Sequence, residues 1–119
     1  MEYLQMRFPG GRPKAVTLSY DDGVSQDLRL ADLADKYGVR CTFNINSGFV
    51  ADAPGGGKLT WDQIKDLLSR GHEAAIHGEY HRAPGSFNTM TGLRDALNCR
   101  VQMERNLGGI IRGMAYPNS

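Results

Sequence analysis

Cysteine is scarce in this chain: Cys41 and Cys99 are the only two, far apart and in no CxxC arrangement. That argues against a disulfide framework or a cysteine zinc site and predicts two buried thiols of a reduced protein, since free cysteine behaves as a small core hydrophobe. An excess of one charge is missing too. Lys and Arg number 14 against 13 Asp and Glu, a formal net charge of +1, which argues against a nucleic-acid footprint or a polybasic membrane patch. No run approaches the ~18 apolar residues a membrane-spanning helix needs. The opening MEYLQMRFPGGRPK has no continuous apolar stretch of the kind a secretory leader carries. The chain as given is therefore expected in the cytoplasm, or outside the cell if a leader was removed. Hydrophobic residues make up 40%, which together with near-zero net charge argues against disorder.

What is present fits a single α/β domain. A chain of 119 residues is one domain at most and buries about two-thirds of its unfolded surface. Glycine is abundant, 15 residues where about 8 are average, so turns and close backbone approaches matter. KAVTLSY, residues 14–20, reads as a buried strand that stops at Asp21-Asp22-Gly23. Residues 25–37 repeat apolar side chains at helical spacing, and Gly38 follows as a stop. A second strand fits 39–46, then a Gly/Pro-rich loop, 51–58. Thr60 and Gln63 form a capping-box pattern opening a helix whose apolar face is Trp61, Ile64, Leu67 and Leu68. A third strand is expected at 73–77, a third helix at 91–107 and a fourth strand at 110–116. The order β-α-β-α-β-α-β predicts a parallel sheet with right-handed crossovers, either part of a barrel or an open doubly wound sheet.

In such folds functional side chains collect at the C-terminal ends of strands. Strand one ends in Asp21-Asp22, strand three in His77 with His81 four residues on, and strand four in Tyr116-Pro117-Asn118. Two carboxylates and two imidazoles on one rim suit a divalent metal, because catalytic zinc takes three His, Asp or Glu ligands and keeps a position open. Adjacent strand residues point opposite ways, so the two aspartates are expected to differ: one a ligand, the other a base. His72, where strand three begins, belongs to the opposite rim and is expected to be structural or solvated. The GGGK run at 55–58 is not a phosphate loop, since Leu59 stands where Ser or Thr is required. Neither a GxGxxG fingerprint nor a GxSxG elbow occurs, and Ser19 lies within a strand. Glu79 and Tyr80, between the histidines, are expected to be solvated, and Trp61 to pack.

These segments resemble the motifs of a known family. VTLSYDDG is similar to the TFDDG motif of the NodB-type polysaccharide deacetylases, carbohydrate esterase family 4; YGVRCTFNIN resembles that family's second strand. SRGHEAAIHGEYH is similar to its GHE segment followed by His-Ser/Thr-x-x-His, and RGMAYPNS to its third motif in the variant ending AYPYG. The resemblance covers residues 14–119. It implies the first half of a distorted seven-stranded (β/α) barrel, with Asp21 as general base and Asp22, His77 and His81 as ligands of a divalent metal, zinc first. It implies hydrolysis of acetyl groups on N- or O-acetylated sugars, with a backbone N–H near Asn118, beside Tyr116, holding the oxyanion.

The sequence departs from the family pattern at three places. Gly78 stands where the second motif has Ser or Thr. Ala115 occupies the place of the motif arginine, with Arg112 three positions off, so orientation of Asp21 by an arginine is an open role. Asn118 and Ser119 replace Tyr-Gly, the sequence stops inside this motif, and the family's later histidine acid has no counterpart in these residues. The sequence is thus expected to be one partial domain, 1–119, of a longer deacetylase. The rival readings are two half-barrels that associate by burying each other's open edge, or a non-catalytic metal-dependent glycan-binding or assembly module.

Overall fold

The computed structural model describes residues 7–118. The opening stretch read for a leader lies in part, at 1–6, outside the described residues, as does Ser119. Three strands, β1 (Ser19–Asp21), β2 (Thr42–Ile45) and β3 (Glu73–Ile76), alternate with three helices, α1 (Asp27–Lys36), α2 (Trp61–Ser69) and α3 (Thr89–Leu107). The sheet is parallel in the order β1-β2-β3. This is the expected βα alternation.

Local chemistry sets the helix ends. Thr60 caps α2 reciprocally: its hydroxyl accepts the Gln63 N–H, and the Gln63 side chain accepts the Thr60 N–H at 2.9 Å. The Asn88 carboxamide oxygen accepts the Thr91 N–H and starts α3 two residues earlier than the apolar spacing predicts. Gly108, at φ +75°, takes the left-handed turn that ends α3 and donates its N–H to Glu104.

β2 is the central strand and carries the core. Phe43 is fully buried, with Tyr20 stacked at 6.3 Å and the His72 ring edge-on at 5.5 Å. Ile45, Ile64, Leu67, Cys99 and Met103 complete the same cluster. Each such side chain contributes about 1.5–3 kcal/mol on burial. Cys41 and Cys99 are free and buried, as expected.

Two strands differ from the sequence reading. The first is only Ser19–Asp21, not 14–20. Among the described residues β1 pairs on one side only, and β2 begins opposite Ser19, so residues 14–18 form no ladder; Val16 is 88% exposed. The fourth strand is reduced to one parallel bridge, Ile76 with Met114. Two bonds make it: the Ile76 N–H donates to the Gly113 carbonyl and the Ala115 N–H to the Ile76 carbonyl, each at 3.0 Å. Gly113 lets the backbones approach, since a Cβ there would lie 2.9 Å from Ala75 Cβ. Ile110, expected inside the strand, is exposed. No helix among the described residues is long and apolar enough to cross a membrane.

Candidate metal centre

The C-terminal ends of the strands meet at one rim. Asp21 is the last residue of β1, and Asn46 and His77 directly follow β2 and β3. Side chains alternate along a strand, so Asn44 lies on the same face of the sheet as its register partner Asp21. The buried Asn44 carboxamide donates to Asp21 Oδ1 at 2.7 Å and to Ser19 Oγ at 2.8 Å. This holds one oxygen of Asp21, while the side chain as a whole is about half exposed.

Asp22 leaves the strand at φ +79°, a turn away from extended backbone. The glycine-rich loop braces this turn. Leu59 N–H donates to the Gly23 carbonyl, Ser25 N–H to the Gly57 carbonyl, and the Lys58 ammonium to the Asp22 carbonyl at 2.8 Å. The GGGK run thus supports the aspartate pair rather than a phosphate.

Asp22, His77 and His81 converge, each offering a ligand atom within 4.8 Å of the others. His81 Nε2 lies 3.2 Å and His77 Nε2 3.7 Å from Asp22 Oδ1; His77 Nε2 is 3.9 Å from Asp21 Oδ2. The two imidazoles meet edge to face at 5.0 Å. His77 is 1% exposed, and its Nδ1 faces the Ala115 carbonyl at 3.0 Å. A carbonyl only accepts, so Nδ1 carries a proton, and in the neutral ring Nε2 is the nitrogen that presents a lone pair to the cluster. Asp22 Oδ1 and His77 Nε2 are buried without a hydrogen-bond partner. Buried polar atoms are almost always satisfied, and two orphans aimed at one point, an acidic oxygen and an imidazole lone pair, are a donor set that fits a divalent cation.

Backbone strain collects at the same place. The non-glycine residues with positive φ among the described residues are Asp22, His81 (53°) and Asn118 (55°). Such conformations cost on the order of 1–3 kcal/mol each and tend to mark functional positions. Asn118 Nδ2 stands 3.5 Å from both His81 Nδ1 and the His81 carbonyl. Tyr116 is exposed and lines a groove of about 440 Å³ with Gly78, Arg82, Phe87 and Pro117. Arg112 lies elsewhere, beside His72, Glu73 and Ile110 at the start of β3. The hydrogen bond to Asp21 comes from Asn44 instead.

Several supporting residues escaped the sequence reading. Asn46, 1% exposed, donates its carboxamide to the carbonyls of His77 and Gly78. Asn44 and Asn46 are visible in the sequence as polar residues spaced by two at the end of the 39–46 run. Glu79 is not solvated as expected: its carboxylate accepts from Asn98 Nδ2 at 3.0 Å and Gln102 Nε2 at 2.7 Å. His72, as expected, is structural; its buried Nδ1 accepts the Cys41 N–H at 3.2 Å. Burial lowers its pKa, so the neutral ring persists.

Comparison with known proteins bears on the family and the fold. The family model described as polysaccharide deacetylase matches residues 9–119. A search of curated protein sequences finds no match. Among solved structures, the chain resembles the Streptococcus pyogenes deacetylase PplD in complex with acetate, with a TM-score of 0.81 and 19% identity over 92% of this chain and 49% of that one. It also resembles the chitin deacetylase of the fungal pathogen Colletotrichum lindemuthianum (0.70, 24%, 85% and 44%). A third likeness is the peptidoglycan deacetylase PdaC of Bacillus subtilis (0.70, 19%, 85% and 48%). At these identities the likeness establishes the fold. The chain spans about half the length of each of these structures.

Proposed function

From the premise that this chain belongs to the polysaccharide deacetylase family, we propose that it carries the metal-binding and base-bearing part of a deacetylase acting on N- or O-acetylated sugars. One observation supports this above the others: Asp22 Oδ1 and the two histidine nitrogens converge, with two of the atoms buried and unpartnered, beside a half-exposed Asp21. In this reading Asp22, His77 and His81 hold a divalent cation, zinc first. When bound, such an ion supplies Lewis-acid polarisation of an acyl carbonyl and lowers the pKa of a water toward about 7.

The chain's own residues do the rest. Asn44 immobilises Asp21 Oδ1, so Oδ2 is the oxygen that takes the proton as water adds to the acetyl carbon. Collapse of the adduct breaks the C–N or C–O bond and releases acetate, and the proton held at Asp21 Oδ2 passes to the leaving nitrogen or oxygen. A backbone N–H near Asn118, with Tyr116 alongside, holds the negative oxygen of the adduct.

The test compares zinc affinity with acetate release from an acetylated chitooligosaccharide. Asp21→Asn is expected to lower turnover by about 10²–10⁴-fold, the range for a general base, while zinc stays bound. His77→Ala and His81→Ala are expected to lose zinc. Unchanged turnover in Asp21→Asn would remove the base role. Binding of zinc and oligosaccharide by the unaltered protein, with no acetate released, would favour the binding-module reading.

A further inference from the structure

His81 lies past the end of β3, on a segment that the sheet does not hold, yet the candidate centre needs its ring in one place. The segment between the two histidines is fastened to α3. The Glu79 N–H donates to Asp95 Oδ2 at 2.9 Å, and the Glu79 carboxylate accepts from Asn98 and Gln102. These three partners fall at i, i+3 and i+7 and so share one face of the helix. Asp95 is only 8% exposed. Its Oδ2 also fills the space a side chain at position 78 would need: a Cβ on Gly78, which sits at φ +75°, would lie 2.6 Å from it. From the other side the Gly48 N–H holds the Glu79 carbonyl at 2.9 Å, and Asn46 holds the carbonyls of His77 and Gly78.

We propose that Asp95 is a positioning residue of the metal centre: through the Glu79 N–H it sets the path of residues 78–80 and thereby places His81 against Asp22 and His77. The inference rests on the metal reading above and deepens it. The bond is part-buried and its acceptor is a carboxylate, so it is stronger than a neutral one. Its loss strands a backbone N–H and frees the segment to relax from the positive φ at His81. The fit also accounts for glycine at position 78, where the carboxylate of Asp95 leaves no room for a hydroxyl-bearing side chain.

The experiment measures zinc affinity by competition with a chromophoric chelator, beside thermal melting of the metal-free protein. The variants are Asp95→Ala, Asp95→Asn, Asn98→Ala/Gln102→Ala and His81→Ala. Asp95→Ala is expected to weaken zinc binding about 10–100-fold, the range for residues that orient a ligand. Asp95→Asn keeps an oxygen for the Glu79 N–H and is expected to lose well under tenfold. An equal loss in both overturns the assignment to that hydrogen bond. If His81→Ala binds zinc like the unaltered protein, the metal reading itself fails. If His81→Ala is impaired and Asp95→Ala is not, the clamp alone fails. Should Asp95→Ala not melt cooperatively, the pair Asn98→Ala/Gln102→Ala decides: weaker zinc binding supports the clamp, and unaltered affinity overturns it.

Discussion

His77 and Ala115 are tied across the edge of the sheet, 38 residues apart in sequence, by the 3.0 Å contact between the ring Nδ1 and the Ala115 carbonyl. Ala115 is itself held to β3, because its N–H donates to the Ile76 carbonyl. The short last pairing therefore does more than extend the sheet. It selects the tautomer of a candidate ligand and aims Nε2 at Asp22.

That tie predicts the protonation state. In the metal-free protein, long-range 1H–15N correlation spectra should show His77 protonated at Nδ1. A ring bare at Nδ1 would contradict the geometry.

Asn44 is expected to separate chemistry from metal binding. Asn44→Ala frees Asp21 Oδ1, and a misplaced reacting group can cost about 10²-fold. Acetate release should fall by about that factor, with zinc affinity unchanged. Equal turnover in variant and parent would show that Asp21 needs no such anchor.

Asp27 gives stability a dependence on pH. The first cause is burial, which pushes its carboxyl up to about 6; the Val24 backbone hydrogen bond and Lys58 oppose this, and the charges of Asp22 and Asp21 add to it. Unfolded, the group returns to its ordinary 3.8. Between those values the folded protein keeps a proton that the unfolded chain has released. Stability is therefore full below about 4, declines as pH rises through about 6, and stays low above. The penalty at neutral pH is on the order of 2–3 kcal/mol. Asp27→Asn in the metal-free protein should recover most of it and flatten the slope, as read by urea unfolding at acid and neutral pH.

The α2 cap is a test of stability away from the site. Thr60→Ala removes one arm of the capping box and should cost about 1 kcal/mol. Urea unfolding measures it, and zinc affinity should not change.

Much of the candidate site was legible because its chemistry is local. Asp21-Asp22-Gly23 ends a β-branched run, and His77 and His81 follow another, so strand-end logic placed four groups on one rim before any coordinates. The polar supports were harder to read. Asn44 sits in β2 and Asn46 just past it, where nothing local says which partner they meet, and Glu79 reads as a free surface charge until α3 packs beside it. The strand lengths were misjudged for the same reason: propensity speaks for residues 14–18 and 110–112, but a strand exists only where a neighbour completes its hydrogen bonds.

By itself the sequence determined the βα alternation, the Thr60 cap and the placing of Asp21, His77 and their neighbours at strand ends, because periodicity, capping and turn chemistry act over a few residues. Only the tertiary structure decided which atoms face one another. Parallel register set Asn44 against Asp21, the pairing of 113–115 with β3 turned the His77 ring, and the packing of α3 fixed the segment that carries His81. Those are contacts between distant segments, set by the sheet's hydrogen bonds and the shared core, and no short window of sequence contains them.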